Sequence, residues 1–155
     1  MPGIVPALFT LLIVDDFQSF RRFISTTLQQ HEHYEVIGEA PDGLEAVQLA
    51  EKLQPDLILL DLGLPGLNGL EAARQIQNVS PNSKILFVSS EDSAEVVQEA
   101  VTLGASYLWK NDAGAELLPA IDEVMQGKQF LSRHVARDTR KELTVPENGW
   151  HLSAS

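Results

Sequence analysis

Apolar and polar positions alternate along this chain on two length scales. Leu11-Leu12-Ile13-Val14, Leu57-Ile58-Leu59-Leu60 and Ile85-Leu86-Phe87-Val88 are short, wholly apolar runs, and each is followed directly or within one residue by Asp or Ser. Their length predicts strands, and their apolarity on both faces predicts a parallel sheet covered by helices on each side. Tyr34–Ala40 and Ser106–Trp109 read as two further strands. Between these runs the apolar period lengthens to that of a helix. Helices are expected over 18–30, with Phe20, Phe23, Ile24, Thr27 and Leu28 on one side, and over 43–53, with Leu44, Val47, Leu49 and Ala50. Others are expected over 69–79, with Leu70, Ala73 and Ile76 inward, over 94–103 with Gly104 as its cap, and over 115–125, closed by Gly127.

Five strand–helix pairs in strict alternation predict an α/β fold, and right-handed crossovers close it as an open, doubly wound sheet. No repeat or low-complexity tract interrupts the pattern. Residues 1–9 read as a leader and 10–132 as the folded domain. The stretch 133–155 is poor in apolar anchors and reads as a tail or linker, with a short helix over 135–143.

The position of the polar residues carries the chemistry. Ligands of an open α/β sheet bind beyond the carboxyl ends of its strands. The first strand ends at Asp15-Asp16, the third at Asp61, the fourth at Ser89 and the fifth at Lys110. Any one of these has an ordinary explanation as a turn or helix-cap residue. All five on one edge of one sheet do not. Three carboxylates packed together repel one another unless a cation joins them, and an oxygen-only donor set suits a hard cation such as Mg²⁺. No His stands at a strand end, which argues against zinc or iron. A carboxylate can attack phosphorus to give an aspartyl phosphate when a metal and a nearby ammonium neutralise the phosphoryl oxygens. Neither G-x-x-x-x-G-K-[ST] nor G-x-G-x-x-G is present, so no nucleotide site is visible.

Composition narrows the picture. The 155 residues are 44% hydrophobic and 21% charged, enough for one sizeable core. Eleven Lys and Arg against 22 Asp and Glu give a net charge of −11, the wrong sign for a phosphate-backbone binder. The absence of cysteine excludes disulfides, thiol catalysis and Cys-based zinc sites. The longest apolar stretch near the start is broken by Pro6 and Thr10 and falls short of the ~18 residues of a membrane span; it lacks the basic flank of a signal peptide. A cytoplasmic protein with no membrane association is therefore expected. Arg21-Arg22 and the loop histidines His31 and His33 fit ordinary solvated positions.

With these residues in view, the chain resembles the receiver domains of two-component response regulators. The resemblance rests on Asp15-Asp16 after LLIV, on Asp61 in LILLDLGLPGLNG with Pro65 and Gly69 four and eight residues later, on Ser89, and on Lys110 in GASYLWK. It covers residues 10–132. The segment GASYLWKNDAGAELLPAI, followed by GKQFLS, is most similar to receivers that usually precede a helix-turn-helix domain. The resemblance implies a flavodoxin-like sheet of order 2-1-3-4-5, the arrangement of a chemotaxis regulator of the same family. It implies that Asp61 is the phosphoacceptor for a sensor histidine kinase. Mg²⁺ would be held by Asp16 and Asp61, by Asp15 through water, and by the backbone carbonyl of Gly63. Lys110 would pair with the carboxylate and then with the phosphoryl group, and Ser89 and Tyr107 would be the switch residues. Such a domain is not an enzyme beyond catalysing its own phosphorylation and dephosphorylation. Its output would be a change of the surface formed by the fourth helix, fifth strand and fifth helix, controlling a homodimer or a partner.

Two features depart from the family pattern. Asn111 follows Lys110 where many relatives have a cis proline, and a non-proline cis bond costs about 3 kcal/mol, so this loop is expected to run differently. Only 155 − 132 = 23 residues follow Ser132, too few for a helix-turn-helix domain. They carry four basic and three acidic residues, so no nucleic-acid binding by this chain alone is expected. The expectation is a stand-alone receiver, or one whose transcriptional effector has been removed. Two other classes fit less well. A haloacid-dehalogenase-type phosphohydrolase needs a second Asp two residues after the nucleophile, where Gly63 stands. A flavodoxin-like cofactor binder needs a phosphate loop after the first strand, and none is there.

Overall fold

A computed structural model describes residues 8–91 and 93–132. Five parallel strands and five helices alternate in it: β1 (Phe9–Val14), α1 (Gln18–Gln29), β2 (Tyr34–Ala40), α2 (Gly43–Leu53), β3 (Leu57–Leu60), α3 (Gly69–Val79), β4 (Lys84–Ser89), α4 (Ala94–Thr102), β5 (Ser106–Trp109) and α5 (Ala113–Met125). The strand order is β2-β1-β3-β4-β5, the order that the resemblance implies. β1 begins at Phe9, one residue inside the segment read as a leader. The short helix expected over 135–143 lies outside the described residues.

The chain packs as two compact units. The first holds residues 8–59 and 64–83 and so carries β1, α1, β2, α2, α3 and most of β3. Its core is Leu11 to Val14, Ile24, Leu28, Ala46, Ala50, Leu57 to Leu59 and Ile76, all at most 1% exposed. Burying each branched side chain contributes about 1.5–3 kcal/mol, and this apolar surface decides the register in which each helix faces the sheet. Two helices start on side-chain caps with a Glu three residues on. Asp42 Oδ1 accepts the Glu45 N–H at 2.8 Å, and Asn68 Oδ1 accepts the Glu71 N–H at 3.0 Å. Each cap is worth about 1 kcal/mol and fixes where α2 and α3 begin. Gly43, the first residue of α2, lies so close to the Leu67 carbonyl that a Cβ there would sit 2.2 Å from the oxygen, so no other residue fits.

Two of the apolar residues at helical spacing are exposed. Phe23 on α1 is 40% exposed and Leu44 on α2 is 61% exposed. The small residues Gly43, Ala46 and Ala50 are what α2 buries. On α1 the buried pair is Ile24 and Leu28, while Phe23 packs sideways on Phe20 with ring centroids 5.8 Å apart.

The second unit holds residues 60–63 together with β4, α4, β5, α5 and the segment up to Ser132. β4 and β5 pair in parallel from Leu86 opposite Ser106 to Ser89 opposite Trp109. Leu86, Phe87, Tyr107, Leu108, Ala100, Val101, Leu117, Ala120 and Ile121 form its core. Among the described residues no peptide bond is cis. The chain after Lys110 instead tightens into a 3₁₀ turn, Lys110–Asp112, that leads straight into α5. This is the different course that Asn111 suggested.

Candidate functional site

Asp61 stands one residue beyond β3, only 5% exposed. Its two oxygens are addressed differently. Oδ1 accepts the Gly63 N–H at 3.1 Å, and Oδ2 lies 3.6 Å from the Lys110 ammonium. The Lys110 side chain is itself only 11% exposed. Burying either charge alone costs several kcal/mol, so each makes the other tolerable. The result is a fixed carboxylate beside an ammonium that can also attract phosphoryl oxygens.

Ser89 ends β4 and is buried. Its Oγ accepts the Glu91 N–H at 3.1 Å. Tyr107, at the second position of β5, is fully buried, and its hydroxyl donates to the Glu91 carbonyl at 2.7 Å. The Glu91 carboxylate accepts the Ser93 N–H at 3.0 Å, at the start of α4. One residue therefore ties Ser89, Tyr107 and the first turn of α4 together. Glu91 is absent from the expected site residues. A Glu two residues past a strand has no sequence signature, since its role here is carried mostly by backbone atoms that every residue has. Tyr107 also differs from the half-buried aromatic that a short strand would suggest: the ring is already turned inward.

In the other unit, Asp15 is 2% exposed and Asp16 is exposed. Asp15 Oδ1 accepts the Phe17 N–H at 2.8 Å, and the Asp15 N–H donates to Ala40 at 3.0 Å. Arg21 is not a freely solvated helix residue. Its guanidinium donates to the Asp15 backbone carbonyl and pairs with Glu39 at 3.0 Å, which holds the loop carrying the acidic pair. Arg22 is exposed, as is His33, while His31 packs against Tyr34 with ring centroids 6.5 Å apart. Carboxylate oxygens of Asp15, Asp16 and Asp61 lie within 4.8 Å of one another. An all-oxygen group of this kind fits a hard divalent cation that keeps several waters. Of the expected site residues, the structure thus brings together the three aspartates, and it pairs Asp61 with Gly63 and Lys110. Ser89 and Tyr107 meet through Glu91.

The response regulator receiver domain family matches residues 11–122. The chain belongs to that family. The transcriptional regulatory protein DegU of Brevibacillus brevis is 35% identical over 133 residues, covering 85% of this chain and 56% of that protein. LiaR of Bacillus subtilis (strain 168), also a transcriptional regulatory protein, is 38% identical over 127 residues, covering 81% of this chain and 60% of that protein. The chain therefore spans little more than half the length of these relatives. Among solved structures, a LuxR-family two-component response regulator from Aurantimonas sp. SI85-9A1 superposes with a TM-score of 0.82 at 30% identity, over 88% of this chain and 98% of that one. The receiver fold and its sheet order are thus shared along nearly the whole described chain. Among the described residues no helix is long and apolar enough to cross a membrane.

Proposed function

We propose that this receiver domain is a Mg²⁺-dependent phosphoacceptor switch, charged on Asp61 by a histidine kinase. The observation that carries the reading is the paired environment of Asp61, with Gly63 N–H on one oxygen and Lys110 on the other. A carboxylate oxygen attacks phosphorus, the bond from phosphorus to the donor nitrogen breaks, and an acyl phosphate forms. Lys110 neutralises charge on the transferring oxygens. Asp15, Asp16 and Asp61, with the Gly63 carbonyl, would hold Mg²⁺, which when bound supplies the remaining positive charge at the phosphoryl group. Ser89 is the hydroxyl placed to turn towards the phosphoryl group. If it does, it gives up the Glu91 N–H, and the loop leading to α4 is released. Tyr107 is coupled to the same residue through its hydroxyl. The output is a shift between two arrangements of the α4–β5–α5 surface, which controls self-association or a partner, in a cytoplasmic signalling pathway with transcriptional output. The domain turns over no substrate other than its own phosphoryl group.

The test is incubation of the chain with a small acyl phosphate, with and without Mg²⁺, followed by intact mass. One added phosphoryl group that requires Mg²⁺ is the expected result. No addition, or addition without metal, contradicts the reading.

A further inference from the structure

The chain does not leave the fold at the end of α5. Gly127, at φ +86°, reverses its direction. The Gly127 N–H donates to Val124 at 3.0 Å and the Lys128 N–H to Glu123 at 3.0 Å, the bond pair that closes a helix through a left-handed residue. Residues 129–132 then run parallel to β5, the last strand in the sheet order, with Leu131 opposite Tyr107. The Tyr107 N–H donates to Phe130 at 2.8 Å, and the Ser132 N–H donates to Tyr107 at 2.9 Å. Two hydroxyls extend the pairing: Ser106 Oγ accepts the Phe130 N–H at 2.8 Å, and Ser132 Oγ accepts the Trp109 N–H at 3.2 Å. Ser132 is fully buried.

Tyr107 is thereby held at three atoms. Its hydroxyl is on Glu91, whose N–H is on Ser89, and its backbone N–H and carbonyl are on residues 130 and 132. A hydrogen-bond chain runs from the Ser89 hydroxyl to the last described residue. A chain of contacts transmits nothing unless its ends differ in free energy between two states. Here the Ser89–Glu91 bond is the one that phosphorylation would break.

We propose that residues 129–132 are an output strap: their pairing on β5 differs in strength between the phosphorylated and unphosphorylated domain, and the chain beyond Ser132 receives the state of Asp61 through it. This rests on the phosphoacceptor reading above. By linkage, loosening the strap must also change the affinity for a phosphoryl mimic.

The experiment is amide hydrogen exchange by NMR on the full chain, with and without beryllofluoride and Mg²⁺. The Tyr107 and Ser132 amides are expected to change exchange rate by about fivefold or more relative to Leu12 and Ile13. Ser132→Ala removes the acceptor for Trp109 and is expected to move the half-saturating beryllofluoride concentration, read at the Gly63 amide, by about threefold. Unchanged exchange at Tyr107 and Ser132 while the Gly63 and Ser89 amides shift would overturn the strap and leave the phosphoacceptor reading standing. So would parental half-saturation in a folded Ser132→Ala variant. If Gly63 and Ser89 do not shift at all, the phosphoacceptor reading fails, and the strap fails with it.

Discussion

The two ends of β3 carry the same side chain in opposite circumstances. Asp56 precedes the strand and Asp61 follows it. Asp56 Oδ2 accepts the Thr10 N–H at 2.8 Å and the Thr10 hydroxyl at 3.1 Å, and its own N–H returns a bond to the Thr10 carbonyl at 3.0 Å. Its partners are neutral, fixed donors from the start of β1, and they leave it nothing further to do. Asp61 is more deeply buried, accepts one N–H, and faces the Lys110 ammonium. A carboxylate used for structure is saturated by groups that cannot leave. One available for chemistry is balanced by groups that can be shared with an incoming phosphoryl group. The strand is only four residues long, so both aspartates are set by the same backbone segment, and what separates them is which end of the sheet they occupy.

The sharpest way to break that contrast is to exchange the losses. Asp61→Asn keeps the size and removes the nucleophile, so acyl-phosphate labelling read by intact mass is expected to disappear while the circular dichroism stays that of the parent. Labelling at the parental level would put the phosphoacceptor elsewhere. The opposite pattern is expected at the other end: Asp56→Ala leaves two half-buried Thr10 donors without their acceptor, a loss of about 3 kcal/mol, with labelling retained in the folded fraction. Urea titration gives the stability. A variant as stable as the parent would mean that Asp56 is not the structural carboxylate described here.

Asp16 sharpens the chemical end. It is the exposed member of the acidic group, where Asp15 is already engaged with the Phe17 N–H. An exposed carboxylate can meet a cation directly at little desolvation cost, so Asp16→Ala is expected to weaken Mg²⁺ binding about tenfold or more, and more than any other acidic substitution outside Asp61. Titration calorimetry measures it, and equal affinity in parent and variant would remove Asp16 from the metal site.

The same contrast explains what was legible in the sequence. Three of the strands were legible because each is a closed apolar run, and the chemical residues were legible because they follow the strands on one edge. The strand-end carboxylates, Lys110 and Ser89 all follow from that one regularity, whereas the sheet order came from the resemblance to receiver domains. What was not legible depends on packing or on backbone atoms. Phe23 and Leu44 sit at helical spacing, yet α1 buries Ile24 and Leu28 and α2 buries Gly43, Ala46 and Ala50, a choice that period alone does not encode. Glu91 acts through its N–H and carbonyl. The strap over 129–132 is announced only by Gly127, and a glycine after a helix predicts a turn without saying which strand the chain meets next. Tyr107 was visible as a residue but its rotamer was not, because that is fixed by an acceptor 16 positions away in sequence.

Tyr107→Phe gives the smallest expected effect and separates packing from switching. The ring is fully buried and would stay so, since Phe fills nearly the same volume. Only the bond to the Glu91 carbonyl is lost. Glu91 is half-buried, so water can take over part of the acceptor's need, and the cost is set at about 1 kcal/mol, a fall of about 3 °C in midpoint temperature for a domain of this size. Asp61, Lys110 and the acidic group are untouched, so phosphorylation by a small acyl phosphate is expected to proceed to the parental extent. What should change is the response of α4. With the hydroxyl gone, Ser89 and Tyr107 no longer share Glu91, and the amide shifts that beryllofluoride induces in Ala94–Thr102 are expected to be no more than about half those of the parent, as befits removal of one of the two bonds that join Ser89 and Tyr107 to that residue. Ser89→Ala removes the other bond, and the double variant gives the coupling between them. If the two single variants act additively on the α4 response, Ser89 and Tyr107 report to α4 separately, and Glu91 is a bystander rather than the residue through which they meet.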